Sequence, residues 1–530
     1  MNKHWPFFAA IFVFVAGMAL LILISLQKTG GVFAYALDDI YIHMAISKNL
    51  ALNGAWGINA GEFSSSASSI LYPLIIAASF VVFGVNEISP LAINIIFGLL
   101  SILAAYFILK KTDMPPAWTF AALLFFVFAT PFFIVALTGL EHMIQIAVFL
   151  FFVYLATRAI ASEKPSGKEI AALALLAAIL TSVRYESMFV LFVVCGLFIL
   201  KKQWNTAFVL GAIGMLPIVI FGLYAVAQGS YFFPNPVLLK AKFEHFAIWD
   251  LMKLGYYALS NMAESHILLL LAGALSAFAM RVRNHIAFWS QQQLMVVIFA
   301  ATTLLHLTFA QTGWFYRYEA YLVALGIIIV STGIYEYFRN KDILAMLKLK
   351  TNPLFFGTLV AIFFALSLPY VFRAGSAVAT PQAMKNIYEQ HYQLGLFIQK
   401  YYGGETIVAN DIGFISFLPN AYIIDWVGLG NVDVTRARRN GNFTREWMED
   451  YARSKNAKLA VMHDVWFANT GVPQSWTKIG EWKVTSGAPF IARNVAFYST
   501  DRNEIEGLRQ YFADFSANEL PNSVEATKYF

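Results

Sequence analysis

Through the first 373 positions, apolar residues run in blocks of about twenty, each closed by a short polar or charged stretch. Helices of that length cross a hydrocarbon core of about 30 Å. The blocks predict spans near 7–27, 90–109, 117–137, 142–160, 169–183, 187–201, 205–228, 264–280, 287–309, 318–338 and 353–372, eleven in all. Blocks 169–183 and 187–201 are short, which predicts tilted helices or helices prolonged at their ends. The first block follows Lys3 and His4 and exceeds the apolar region of a secretory signal, so it is expected to stay as an uncleaved membrane helix.

Block 69–84 is apolar but covers 16 residues, short for a span. The basic residues decide its status. If it does not cross, the loops holding Lys110-Lys111, Arg158/Lys164/Lys168, Lys201-Lys202, Arg281/Arg283 and Arg339/Lys341/Lys348/Lys350 all fall on the side of Lys3. If it does cross, every one of them changes side. The positive-inside rule selects the first arrangement, which makes 69–84 a re-entrant or interfacial helix on the outer face. The outer face then holds 28–89, 138–141, 184–186, 229–263, 310–317 and everything after 373.

Residues 374–530 carry much of the charge and no span. Thr406–Asn410, Ala421–Asp425, Lys458–Met462 and Val495–Tyr498 predict short strands, and Asp411–Leu418, Thr444–Arg453 and Glu504–Phe512 predict helices or turns. That alternation predicts a small soluble α/β domain after a membrane domain of residues 1–373.

Composition agrees. The 530 residues are 59% hydrophobic and 13% charged, with a mean hydropathy of +0.62, where a soluble domain is about a quarter charged. The fold class is therefore a polytopic α-helical membrane protein with a lipid bilayer as its solvent. The formal charge of +6 belongs to the loops on the side of Lys3 and gives no sign of nucleic acid. The single cysteine, Cys195, excludes an internal disulfide.

Ionisable groups beside lipid are expensive and mark function. Asp38 and Asp39 follow the first span directly, and on a helix starting there Asp39 and His43 share a face. An N-cap with a first-turn acid is the plain structural alternative. Glu62 lies in the same outer loop, Glu141 in Gly139-Leu140-Glu141, Arg184 in Arg184-Tyr185-Glu186, Lys240 in Pro234-Asn235…Lys240 and Arg317 in Trp314…Arg317. Each alone reads as a solvated helix end. Together they collect acids and phosphate-binding cations on one face. No Walker or Gly-x-Gly-x-x-Gly nucleotide signature is present. A donor with a phosphate and a hydrocarbon tail fits this set.

The ordered motifs resemble the GT-C membrane glycosyltransferases, in particular bacterial and mycobacterial polyprenyl-phosphate-arabinose arabinofuranosyltransferases. The resemblance rests on Asp38-Asp39, Asn49-Leu50, Gly54, Asn59, Gly61-Glu62, Ser68 through Pro73, Gly139-Leu140-Glu141, Arg184-Tyr185-Glu186, Pro234-Asn235…Lys240 and Trp314…Arg317. Asn410-Asp411-Ile412-Gly413 and Ile424-Asp425-Trp426-Val427-Gly428-Leu429 match its tail more loosely. Thr312-Gly313-Trp314 lacks the family's Asp before the Trp, and His142 stands where Thr is usual; these departures bear on the sugar.

The resemblance implies a GT-C fold and inverting transfer of a sugar, arabinofuranose first, from a polyprenyl phosphate to an extracytoplasmic glycan, lipid or protein hydroxyl. It places the protein in a bacterial inner membrane with the site on the periplasmic side. It implies Asp38 as general base and Asp39 as the residue that orients the acceptor or binds a divalent ion. Glu141, His43 and Glu62 support the acceptor or a metal, and Arg184, Lys240 and Arg317 hold the donor phosphate. Tyr41, Trp56 and Tyr185 are the expected sugar-stacking rings. Some members use Mg2+ or Mn2+, for which Asp39 and Glu141 would serve; the sequence itself requires no cofactor. A transporter or flippase of lipid-linked sugars, or a non-catalytic envelope scaffold, is the alternative. The first predicts charges at mid-span or Gly/Pro-broken helices; the second has no need of Asp38-Asp39.

Overall fold

The computed structural model describes residues 3–240, 265–341, 353–487 and 491–530. In chain order the helices are α1 (Trp5–Lys28), α2 (Asp39–Asn53), α3 (Leu71–Phe83), α4 (Ile88–Lys110), α5 (Pro116–Ala129), α6 (Phe132–Leu137), α7 (His142–Ala161), α8 (Gly167–Val183), α9 (Met188–Leu200), α10 (Trp204–Ala227) and α11 (Asn235–Lys240). They continue with α12 (Ser265–Arg283), α13 (Gln291–Phe309), α14 (Ala320–Phe338), α15 (Pro353–Ile387), α16 (Gln393–Tyr401), α17 (Gly413–Phe417), α18 (Val432–Arg439), α19 (Arg445–Ser454) and α20 (Ile505–Asn518). Six strands follow α16: β1 (Thr406–Ala409), β2 (Tyr422–Asp425), β3 (Ala457–Met462), β4 (Thr477–Val484), β5 (Asn494–Ser499) and β6 (Val524–Lys528).

Among the described residues, seven helices are long and apolar enough to cross a membrane: α1, α4, α7, α10, α12 (from His266), α13 and α14. The chain is a multi-pass membrane protein. The predicted span 117–137 is broken into α5 and α6 at Thr130-Pro131, because proline cannot donate into the helical ladder. Block 69–84 forms α3, 13 residues long, or about 20 Å at 1.5 Å per residue, short of the hydrocarbon core. The last predicted span does not end near 372; α15 runs 35 residues to Ile387. Hydropathy falls after Arg373, yet the helix continues through Gly375 and Pro381 to Ile387.

The chain divides into two compact units, one of Met1–Leu20, Ala92–Val219 and Ala241–Val378, the other of Leu21–Leu91, Ile220–Lys240 and Ala379–Phe530.

In the first unit α7 is the most enclosed of the seven, with Phe149 packed edge-on against Tyr321 at 4.8 Å. The outward faces stay apolar: Phe192 is 72% and Phe208 76% exposed. Such faces suit lipid, where backbone polar groups are satisfied within each helix. Lys201 Nζ donates to the carbonyls of Ile160 and Ser162, Gln291 reaches Tyr154 O, and Tyr335 Oη reaches Asp113 O. These contacts bring together the ends of α7 and α9 and the start of α13, and separately the end of α14 and the α4–α5 turn. Ser166 and Glu169 form a reciprocal cap that starts α8.

In the second unit the sheet order is β2-β1-β3-β5-β4-β6. β2, β1 and β3 run parallel, and β5, β4 and β6 add antiparallel. One face packs Trp426, Met448, Phe467 and Trp476 into a core. The edge of β2 is covered by the loop after α2. Asn59 acts there like a strand residue, donating to Ile423 O at 3.0 Å and accepting from Ile423 N at 2.8 Å. Asn49 donates to the carbonyls of Gly57 and Ile58. A Cβ on Gly57 would lie 1.9 Å from Glu62 O, so only glycine permits this closure.

Candidate functional site

Parallel strands put the residues after them at one edge of the sheet, the place where open α/β sheets gather polar groups. Asp411 follows β1, Asp425 ends β2 and His463 follows β3. His391 comes to the same place from the π-helical turn Tyr388–Tyr392 between α15 and α16. Its Nε2 lies 2.9 Å from Asp411 Oδ2.

Asp38 joins this group. It stands at the N-cap position of α2, yet its side chain does not cap α2. Its Oδ2 accepts from Gly413 N at 2.6 Å and its Oδ1 from Phe414 N at 2.9 Å. A Cβ on Gly413 would lie 2.4 Å from Asp38 Oδ2, so the close approach itself requires glycine. Lys48 Nζ holds the far end of α17 through Phe417 O at 2.8 Å.

Burial pushes the Asp38 carboxyl up to about 7, against the pull of His391 and with the charge of Asp411 adding to the rise. Burial by itself lowers His391, but Asp38, Asp411 and Asp39 together raise it to about 9. Asp411 is held below the usual carboxylate range, because His391 outweighs its burial. A buried base, a cation and a second acid thus share one cluster. Asp425 is kept apart from it: its side chain accepts from Val427 N and Gly430 N, both at 2.8 Å, and closes the turn after β2.

Asp39 opens α2 half-buried, and its charge reaches His391. His43, one turn on, is buried beside Tyr72 at 5.6 Å. Glu62 is exposed and accepts from Tyr422 Oη at 2.8 Å. Tyr41 is fully buried between Tyr35 and Phe414, its hydroxyl taken by Tyr35 N. That corrects its expected role: this ring has no face open to a sugar and packs α2 against α17. Trp56 packs on Phe221 at 5.0 Å. Lys240 closes α11, and its side chain lies outside the described residues, as does the loop 241–264.

The first unit gathers a second set. Arg184 donates to Glu141 Oε1 at 2.9 Å and holds Glu186 with two hydrogen bonds, at 3.1 and 2.7 Å. The guanidinium of Arg317 sits 4.9 Å and that of Arg184 5.7 Å from the centre of the Tyr318 ring. Glu141, Arg184 and Arg317, expected from different loops, therefore do meet, and Tyr318 is the hub that joins them. Tyr185 is buried in the same turn as Arg184. A divalent ion at Glu141 would meet the positive charge of Arg184. Behind this set Arg373, 1% exposed, donates to Glu319 at 2.8 Å and to Ala129 O at 2.9 Å.

His391, His463, Tyr318 and Arg373 were not among the expected site residues. Asp411 lay inside a motif, but the histidines stand far from it in sequence and at no metal-binding spacing. Arg373 sits at the end of a predicted span and reads as an ordinary anchor.

The family profile described as "Domain of unknown function (DUF8728)" matches residues 385–499. No curated protein matches the chain. Among solved structures, the chain is similar to ArnT from Cupriavidus metallidurans bound to undecaprenyl phosphate, with TM-score 0.50 and 13% identity over 95% of this chain and 99% of that one. The apo state of the same protein gives 0.49 and 15% over 92% and 98%. The archaeal oligosaccharyltransferase AglB from Archaeoglobus fulgidus, solved with an inhibitory peptide and a dolichol-phosphate, gives 0.45 and 11% over 95% and 75%. The fold is the GT-C fold, membrane helices followed by a domain with a small sheet.

Proposed function

We propose that this protein is a membrane glycosyltransferase that moves a sugar from a polyprenyl phosphate to a hydroxyl of an extracytoplasmic glycan, lipid or protein. The observation that carries the reading is the likeness of fold, over 95% of the chain, to a protein solved with undecaprenyl phosphate. The buried carboxylate of Asp38 supports it, because a raised basicity suits a general base working near neutral pH. Arabinofuranose is the first sugar to test, on the order of the sequence motifs.

In this reading the acceptor oxygen attacks the anomeric carbon and its proton passes to Asp38. The bond from that carbon to the phosphate oxygen breaks, and its electron pair leaves on the polyprenyl phosphate. Attack opposite the leaving group inverts the centre. Arg317 neutralises the phosphate as charge develops, and Lys240 adds to it. Arg184, already shared by two carboxylates, holds Glu141 and the Tyr318 ring in place. Asp39, next to the base in sequence, orients the acceptor hydroxyl. No step needs Mg2+ or Mn2+. The inner membrane, with the reaction on its periplasmic side, is the compartment proposed.

A transfer assay on purified protein tests this. Polyprenyl-phosphate arabinofuranose and polyprenyl-phosphate mannose are offered separately with a mixed envelope glycan. The expected result is consumption of one donor, release of polyprenyl phosphate, and a loss in Asp38→Asn. Equal turnover by both proteins would remove Asp38 as the base. If neither donor is consumed while labelled lipid crosses a liposome bilayer, the flippase reading takes its place.

A further inference from the structure

We infer that His391, Asp411 and His463 form a binding site for one divalent transition-metal ion of the zinc class. Three different segments bring these side chains together: the π-helical turn, the residue after β1 and the residue after β3. One donor atom from each lies within 4.8 Å of the others. Tetrahedral ligands about 2.0–2.1 Å from a zinc ion stand about 3.3 Å apart, so closing the set needs side-chain adjustments of order 1 Å.

The surroundings favour a metal over a chance cluster. His463 Nδ1 lies 2.6 Å from Asn494 O, a contact that puts the proton on Nδ1 and leaves Nε2 as the acceptor for a metal. The backbone N of His463 donates to Asn410 Oδ1 at 3.0 Å, so the turn after β3 is tied to the turn after β1. His391 Nδ1 is buried without a hydrogen-bond partner among the described residues. A neutral His391 has one ring-nitrogen lone pair to offer a metal ion. His391 and His463 are each 3% exposed and the Asp411 side chain 31%, so two ligands are buried and the third opens to solvent.

The donor set selects the ion. Two imidazoles and one carboxylate suit zinc and its first-row neighbours, whereas Mg2+ and Ca2+ take oxygen donors. Three protein ligands leave a fourth position for water. Because Asp411 lies two residues before Gly413, whose amide holds Asp38, a bound ion would stiffen the segment that positions Asp38. The ion has that positioning role here, and no reaction step passes through it. All three ligands fall within residues 385–499, so the inference stands whether or not the protein transfers sugars.

The test uses the full-length protein in detergent, purified on a tag without histidines, stripped with chelator and re-equilibrated with zinc. Elemental analysis should find about one zinc per chain in wild type, and a loss of at least about tenfold in affinity in His391→Gln and in His463→Gln. His285→Gln, at an exposed histidine outside the cluster, should keep the full content. Should either variant fail to fold, cobalt bound to wild type decides the matter. A visible band of four- or five-coordinate strength supports the site, and a weak octahedral spectrum overturns it. Equal zinc in wild type and His463→Gln, or none in wild type, overturns it as well.

Discussion

The two units bury their acids in opposite ways. In the first, every acid of the central set faces an arginine: Glu141 and Glu186 share Arg184, and Glu319 takes Arg373. Arg184 holds Glu186 below the usual carboxylate range despite its burial. In the second, Asp38 faces two backbone amides and a histidine, and burial wins, so its carboxyl rises toward neutrality. Paired acids keep one charge state and hold helices together. An acid whose charge is only partly compensated can take up and release a proton near pH 7, which is what catalysis needs. The paired acids Glu141, Glu186 and Glu319 are built to keep their charge, and Asp38 to exchange a proton.

The sharpest way to break that comparison is to remove one charge from each unit. Arg373→Met leaves Glu319 buried beside His266 without its arginine, and should destabilise by about 3–5 kcal/mol. Arg373→Met with Glu319→Gln should recover part of the loss, read as melting temperature in detergent. A single variant no weaker than the pair would mean that the ion pair is not what holds α14 and α15. Asp38→Asn should lower transfer by about 10²–10⁴-fold. Its amide also turns an N–H toward the Gly413 or Phe414 amide, a mispairing worth about 1–3 kcal/mol. Asp38→Asn that melts lower yet transfers normally would make Asp38 a structural clasp.

A smaller change probes the clasp alone. Gly413→Ala puts a Cβ 2.1 Å from Asp38 O and should cost about 1–3 kcal/mol by overpacking, with transfer falling because Asp38 is displaced. If Gly413→Ala melts as wild type does, α17 does not sit against Asp38 as described.

Much of this was legible in the sequence because lipid enforces long apolar blocks, and the basic residues sort the loops. The outer acids were legible for the same reason: Asp38-Asp39 and Glu141 stand out where charge is rare. The limits are physical too. Hydropathy reports solvent and not backbone, so the end of α15 was set near 372 although the helix continues to Ile387. β4 carries Lys478, Glu481 and Lys483 with Gly480 between them, and β6 is an edge strand exposed over most of its length. Neither has the apolar run that revealed β1, β2, β3 and β5. The roles of His391 and His463 depend on the order of strands in the sheet, which no local pattern encodes.

The finest test of the comparison is pH, and the two units give opposite signs. Glu186 has a lowered carboxyl, so its contribution is present above the ordinary carboxylate range and is lost only on acidification below it. Asp38 has a raised one: its contribution is complete below about 4, the ordinary value, and is lost as pH climbs through about 7. His391, raised to about 9, loses its share between its ordinary value near 6.5 and that point. In chelator, to keep any metal out, the melting temperature should therefore drift down from pH 5 to pH 9, and Asp38→Asn should flatten the part below pH 8. Transfer should move the other way and rise through a limb near pH 7, because only the ionised Asp38 accepts the proton of the hydroxyl. Activity and stability trending in opposite directions across neutrality would tie both to one carboxylate. A flat activity profile from pH 5 to 8 would place the base on a group of ordinary acidity, with Asp39 the next to substitute.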